Sequence, residues 1–418
     1  MPAKSLQELV DHARTRSPFY ADAYRDVPRT ISHITQLPIV DQDAFWAANR
    51  AAGNRLLTGP LTDAGVYKSG GTTGAPKLSP WTRTEHAEAL TAFGAGMVRA
   101  GLKPGHRVAN LFRAGELYSG FLFIEGALHH APVDNVRLPV GGAAPNEYIA
   151  DLVNGFGVHV LAGEPMKLTA VAEHLVRRGE SAESVELLMF GGDLLFTDLR
   201  PLLARAFPKA AISSIGYASV DAGLVASPVP GEDVRVHEAF PDRTLVEIVD
   251  SATGEPITTP GVPGRVVVTN LFRTLMPILR YPAGDRAEWL DGECRRFRLL
   301  GRSDEGGRVG IVSMPSEDVR AVLVAADPGR HIAGMQMVQR RWDGRDGIVL
   351  RLGCTEQPPA DLAERLIAAV YAARPTYPEE VAAGAIHPLA IEWVPRSELV
   401  TNPRTGKLRQ VVDERPKD

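Results

Sequence analysis

Between residues 83 and 215 the chain alternates helical segments with short apolar runs, and the links between them are brief. A helix is expected from about 83 to 100: Thr82 and Glu85 have capping-box spacing, and Gly101 stands where a left-handed residue closes a last turn. Lys103-Pro104-Gly105 then turns the chain into an apolar strand near 108–112. Further on, Pro165 opens a helix that Gly179 closes, and the strand at 185–190 ends at Gly191-Gly192-Asp193. A helix around 197–206 leads to a strand at 211–215, which stops at Gly216-Tyr217. Strand, helix, strand with short links demands right-handed crossovers, and therefore parallel pairing. This part of the chain is α/β.

The rest organises around it. Ser5 with Glu8 three residues later caps a helix over 5–15, and 66–68 reads as the end of a strand that runs into a Gly/Thr loop, Ser69 to Gly74. In the final quarter, 335–342 and 348–352 flank Asp343-Gly344-Arg345-Asp346-Gly347, which is hairpin chemistry. A helix at about 361–373 and a strand near 389–394 complete a small α+β unit. Glycines 301, 306, 307 and 310 loosen the backbone, so the boundary is placed there. The expected architecture is a large α/β domain, 1–302, with parallel-rich sheets and helices, and a small mobile α+β domain, 303–418.

Composition excludes several classes. With 418 residues, 44% of them hydrophobic, the chain can bury a large core and is not globally disordered. A net charge of -4 without a basic block argues against nucleic acid as partner. Cys294 and Cys354 are too few and too far apart for a disulfide scaffold or a zinc site. No run of about 18 apolar residues offers a membrane span, and Met1 to Glu8 lacks the apolar core of a secretion signal. The default is a soluble cytoplasmic protein, monomer or homodimer. Adjacent His129 and His130 do not point the same way on a helix or a strand, so they do not read as a metal-ligand pair. Tyr118, Phe121, Phe123 and Ile124 read as core, and Glu379-Glu380 as a solvated helix start.

The most informative stretch is Ser69-Gly70-Gly71-Thr72-Thr73-Gly74-Ala75-Pro76-Lys77. Glycines let successive N–H groups converge, and the hydroxyls and Lys77 add donors, so the loop suits a polyphosphate. It is not a Walker A loop, because Pro76 separates Gly74 from Lys77 and Leu78 follows. The segment resembles the S-G-T-T-G-x-P-K signature of the AMP-forming adenylating enzymes, which include acyl-CoA synthetases, peptide-synthetase adenylation domains and luciferases. Within that superfamily the compact length and the start, Leu6-Gln7-x-Leu9-Val10-x-His12-Ala13 followed by Ser17-Pro18-Phe19-Tyr20, look most like phenylacetate–CoA ligases and related antibiotic-biosynthesis enzymes, including the phenazine-tailoring ones. The resemblance runs from residue 6 to 412.

Further motifs follow in order. Tyr217-Ala218-Ser219-Val220-Asp221-Ala222-Gly223 resembles Y-G-S-T-E-x-G, read as a loop after a parallel strand, where open α/β sheets bind ligands. The resemblance implies that Tyr217 stacks near adenine and that Asp221 helps hold Mg²⁺. Val220 replaces a hydroxyl-bearing threonine, and Asp221 is one methylene shorter than the usual glutamate. Tyr281-Pro282-Ala283-Gly284-Asp285 looks like Y-R-T-G-D, whose aspartate bonds both ribose hydroxyls, since an ionised carboxylate accepts two O–H donors at once. Gly301-Arg302-Ser303-Asp304 resembles G-R-x-D, which implies Arg302 near the ribose and Asp304 at a hinge. Gly191-Gly192-Asp193 resembles a loop packed on the adenine, giving Gly192 and Asp193 as nucleotide contacts. Asn402-Pro403-Arg404-Thr405-Gly406-Lys407-Leu408-Arg409 resembles P-R-x-x-G-K-x-x-R, whose lysine, here Lys407, joins the carboxylate to the α-phosphate.

The implied activity is ATP-dependent activation of an aromatic or small apolar carboxylic acid, with Mg²⁺, and transfer of the acyl group to coenzyme A. Two further readings stay open. One keeps adenylation but hands the acyl group to an amine, a carrier-protein thiol or an inorganic anion. The other is a degenerate homologue that binds nucleotide without ligase activity, motivated by Val220 and Asp221.

Overall fold

The computed structural model describes residues 4–50, 52–68, 77–192, 195, 199–302, 306–309, 312–343, 345–354, 356–402 and 406–415. The chain divides into two compact units, 1–194 with 204–300 and 195–203 with 301–418. No described helix is long and apolar enough to cross a membrane.

The first unit opens with helices α1 (Leu6–Arg16), α2 (Pro18–Ala23) and α3 (Gln42–Ala48). The Ser5 hydroxyl accepts from Glu8 N–H while the Glu8 carboxylate takes the Ser5 N–H at 2.8 Å, so both capping-box bonds form. An antiparallel pair, β1 (Ala64–Lys68) and β2 (Leu78–Thr82), leads into α4 (Arg83–Arg99). Its cap is Thr82 with Glu85, and Gly101 closes it at φ +114°, both as expected.

Next come β3 (Arg107–Asn110), α5 (Gly120–His129), β4 (Val136–Pro139), α6 (Asn146–Phe156), β5 (Val160–Gly163), α7 (Pro165–Arg177), β6 (Leu187–Phe190), α8 (Arg200–Ala206) and β7 (Ala211–Ser214). Among the described residues these strands form a parallel sheet in the order β4-β3-β5-β6-β7. The expected strands at 108–112, 185–190 and 211–215 are each present but shorter. The first ends at Asn110, the second begins only at Leu187, and the third ends at Ser214.

The chain then enters a second sheet: β8 (Tyr217–Ser219), β9 (Gly223–Pro228), β10 (Val236–Ala239), β11 (Thr244–Val249), β12 (Gly264–Asn270), β13 (Ile278–Trp289) and β14 (Arg296–Arg302). Its order is β11-β12-β13-β14-β10-β9-β8, and the pairings among its described residues are antiparallel. Tyr217–Ser219 is thus a short strand rather than the loop read from the sequence, because it pairs with β9 immediately after the turn.

Two apolar cores hold this unit. Leu9, Val10, Tyr20 and Phe45 of the first three helices pack with Val266, Val268, Ile278 and Tyr281 of the antiparallel sheet. Phe93 and Met97 of α4 and Ile124 and Leu128 of α5 pack between Val108, Val160 and Met189 of the parallel sheet and Leu224 of β9. Gly94 permits the close approach of these two helices, since a Cβ there would meet the Ala127 carbonyl of α5. Glu85 binds α4 to the chain ahead of β13: one carboxylate oxygen accepts from Thr274 N–H at 2.6 Å and Leu275 N–H at 2.8 Å. The guanidinium of Arg273, fully buried, lies 3.8 Å from the other oxygen and 3.8 Å from the centre of the Trp81 ring.

The second unit contains β15 (Gly306–Val309), β16 (Val312–Pro315), α9 (Ser316–Ala326), β17 (Ile332–Trp342), β18 (Arg345–Cys354), α10 (Leu362–Ala373), α11 (Thr376–Ala382), β19 (Ala390–Pro395) and β20 (Val411–Asp413). The expected hairpin is β17 with β18, and the sheet order is β19-β18-β17-β20. Met335, Met337, Ile348 and Leu350 face the helices. Side chains alternate along a strand, so Arg340 and Arg351 emerge on the opposite face, where both pair with Glu392 and Glu414. This unit is α+β, as expected.

Candidate functional site

Only Ile215 and Gly216 separate the last parallel strand, β7, from the first antiparallel one, β8. The turn is possible because Gly216 has φ +124°, and a Cβ there would sit 2.9 Å from the Phe93 ring. Gly191 and Gly192 follow β6, the neighbour of β7, so both glycine turns lie at the carboxyl end of the parallel sheet. That edge is where open α/β sheets present ligand-binding loops.

Tyr217, the first residue past the turn, is buried along most of its ring. Its hydroxyl donates to a carboxylate oxygen of Asp285, 68 residues away on β13. The ring meets His237 edge-on at 6.2 Å and Phe297 edge-on at 6.4 Å. His237 itself is buried on β10, and burial pushes its imidazole down to about 4. Its Nδ1 lies 2.8 Å from the Arg235 carbonyl and its Nε2 2.9 Å from the Ser214 hydroxyl.

Asp221 occupies the tight turn between β8 and β9. One of its carboxylate oxygens accepts from the Tyr281 hydroxyl at 3.1 Å and stands 3.6 Å from the Lys77 ammonium. The Tyr281 oxygen in turn accepts from the Trp46 indole N–H at 2.9 Å. Burial, and then the Asp221 charge, raise the Tyr281 hydroxyl far above its ordinary range, so it stays a donor. The Lys77 ammonium lies 5.7 Å from the centre of the Trp46 ring. Ser219, one position before Val220, uses its hydroxyl to accept from Ala222 N–H at 2.9 Å, which closes the turn.

The structure therefore brings together four of the expected site residues as two pairs, Lys77 with Asp221 and Tyr217 with Asp285. The hairpin of β8 and β9 carries one member of each pair. The sequence reading missed Trp46, the Tyr281 hydroxyl, Ser214 and His237. Trp46 is 235 residues from Tyr281 and carries no local signal, and His237 looks like any isolated histidine in a strand.

Other expected residues are placed differently. Gly192 has φ +83° in its turn. Arg302 is the last residue of β14. Lys407 belongs to the second unit, on a tight loop closed by Asn402 N–H to Lys407 O at 2.8 Å and Gly406 N–H to Asn402 O at 2.8 Å. Ser69, Gly70, Gly71, Thr72, Thr73, Gly74, Asp193 and Asp304 lie outside the described residues. Beside β1, Tyr67 and His86 stack with centroids 5.5 Å apart, and Phe123 meets both His86 and Phe93.

No protein-family model matches the chain. It is 26% identical over 364 residues to the phenylacetate–coenzyme A ligase of Thermus thermophilus, covering 84% of this chain and 80% of that one. Its fold resembles a 2-hydroxyisobutyryl-CoA ligase in the postadenylation state, with TM-score 0.75 and 17% identity across 98% of this chain and 88% of the other. It also resembles the anthranilate CoA ligase AuaEII in complex with anthranoyl-AMP, with TM-score 0.57 and 18% identity across 82% of this chain and 65% of that one. The chain is similar over most of its length to the phenylacetate–coenzyme A ligases and has the fold of these solved CoA ligases.

Proposed function

We propose that the protein activates an aromatic or small apolar carboxylic acid with ATP and passes the acyl group to coenzyme A. The observation that carries this reading is that Lys77 meets Asp221 and that Tyr217 meets Asp285 of β13, so that one hairpin, β8 with β9, carries a member of both pairs. In the first step a carboxylate oxygen attacks the α-phosphorus of ATP, the bond to the β-phosphate breaks, and pyrophosphate leaves with the acyl-adenylate formed. In the second the thiolate of coenzyme A attacks the acyl carbon, and AMP leaves with the phosphate oxygen.

Two anions must approach in the first step, so positive charge and positioning are what the protein has to supply. The 69–77 loop takes the β- and γ-phosphates, with Lys77 at its end. Asp285 exchanges its Tyr217 partner for ribose hydroxyls, and Tyr217, with Gly192 and Asp193, borders the adenine. Arg302 lies near the ribose. Lys407 bridges the reacting oxygens and withdraws for the second step by rotation of a domain 303–418 about Asp304. Asp221 would be the protein ligand for magnesium once Lys77, now beside it, turns to the phosphates. When bound, that ion offsets charge on the phosphates.

The curated relative named a phenylacetate–coenzyme A ligase and the fold neighbour holding anthranoyl-AMP support an aromatic acid and coenzyme A as the pair. The test is ATP–pyrophosphate exchange over a panel of carboxylates, then mass analysis of the product with coenzyme A. Exchange without a thioester would redirect the second half to an amine, a carrier-protein thiol or an inorganic anion. Absence of exchange with every acid would leave a nucleotide-binding homologue.

A further inference from the structure

A directional chain of hydrogen bonds runs from a buried histidine to the turn that precedes Tyr217. Gly216 N–H donates to the Ser214 oxygen at 3.1 Å. That oxygen lies 2.9 Å from Nε2 of His237, and Nδ1 of His237 lies 2.8 Å from the Arg235 carbonyl. A carbonyl can only accept, so Nδ1 carries the proton and Nε2 is the acceptor. The Ser214 hydroxyl must then donate to Nε2, and its oxygen remains open to Gly216. Each link thus has one possible direction.

The imidazole is also wedged as a ring. It stacks on Phe297 at an interplanar angle of 27° and meets the Tyr217 edge. These contacts converge on the two-residue turn that carries the chain from one sheet to the other, where Gly216 can adopt its left-handed conformation and a substituted residue would strain. A buried polar group left without its partner is costly, so this arrangement resists any other setting of the turn.

We propose that His237 is a positioning residue for nucleotide binding. It fixes the Ser214–Gly216 turn and, through it, sets the Tyr217 ring for the adenine and the Tyr217 hydroxyl on Asp285. The inference rests on the ATP-dependent reading above, because the adenine is what Tyr217 is set to meet. His237 touches no reacting atom. Its effect belongs to ATP affinity and not to the acid or to the chemical step.

The experiment compares wild type with His237→Phe, His237→Gln and Ser214→Ala by ATP titration calorimetry and by steady-state pyrophosphate exchange. His237→Phe keeps a ring on Phe297 but has no acceptor, and His237→Gln restores an acceptor near the Nε2 position. Ser214→Ala breaks the same chain with a smaller change and serves if the phenylalanine variant does not fold, as judged by thermal melting. The expected result is a rise of about tenfold in the ATP Kd and KM for His237→Phe and Ser214→Ala. Acid KM and kcat at saturating ATP should stay within about twofold, and His237→Gln should recover most of the affinity. Folded variants with wild-type ATP affinity, or an equal loss in acid KM, would overturn the role of His237 alone. A wild-type protein that does not bind ATP would overturn the activation reading, and this inference with it.

Discussion

Lys77, Asp221, Tyr281 and Trp46 form a short chain in which the indole donates to the phenol, the phenol donates to the carboxylate, and the ammonium pairs with that carboxylate. Tyr281→Phe removes the middle link, leaving the Trp46 N–H without its acceptor and Asp221 with the Lys77 ammonium but without the phenol. Denaturant unfolding of that variant should show a loss of about 1–3 kcal/mol. Lys407→Ala should lower pyrophosphate exchange by roughly 10²–10³, about 3–4 kcal/mol in barrier, if the lysine bridges the reacting oxygens; an unchanged rate would remove it from the first step. His237 makes a separate prediction about stability. Burial favours its neutral form, so the unfolded chain, titrating near ~6.5, binds more protons than the folded one at mildly acidic pH. Stability from this group is complete above about pH 6.5 and is lost as pH falls toward about 4, up to ~3 kcal/mol at 1.36 kcal/mol per unit. Denaturation curves taken from pH 7 to 4 should show that loss, and it should shrink in His237→Phe. Sequence reading named Lys77, Asp221, Tyr217 and Asp285 because their motifs are local. It had no means of naming Trp46 or His237, whose importance comes from neighbours more than 20 residues away.

At the level of elements, α4 shows how one capping residue can serve two purposes. Glu85 closes the capping box on Thr82 and also accepts from Thr274 and Leu275, with Arg273 buried beside it. Burial raises its carboxyl, but Arg273 and the donors of Leu275, Thr82 and Thr274 outweigh that and hold it below the ordinary carboxylate range. Its contribution is therefore present above the unfolded carboxyl pKa and is lost as pH falls through the lower folded one. Glu85→Ala would strand a buried guanidinium, and about 3–5 kcal/mol of unfolding free energy should disappear in urea titration. The capping box was legible as Thr82 and Glu85 three apart. The second role was not, since residues 273–275 lie about 190 positions downstream.

For the whole molecule, the proposed role of Lys407 asks for two arrangements: its cation present in the first step and withdrawn in the second. A turn about Asp304 is the proposed answer. Asp304→Pro, by locking φ near −65°, should preserve pyrophosphate exchange while thioester formation falls at least about tenfold, measured on the same preparation. Equal loss of both, or of neither, would argue against rotation at that residue.

What the amino-acid order settled by itself is local. Capping boxes at Ser5 and Thr82, the closing glycines at 101 and 179, the hairpin around 343 and the alternation that requires a parallel sheet all follow from neighbours a few positions apart. The strands β4 and β5 and the helices α5 and α6 escaped that reading. Val136–Pro139 is a four-residue edge strand with exposed side chains, and Val160–Gly163 is a short run buried throughout, so neither shows the alternation that marks a half-buried strand. Tertiary structure alone decided that the Tyr217 segment pairs as a strand, that Tyr217 reaches Asp285, and that a tryptophan from α3 supports Asp221. The physical reason is that hydrogen-bond direction and ring packing act over a few ångströms in space, and only the folded chain brings positions 46, 77, 221 and 281 within that distance.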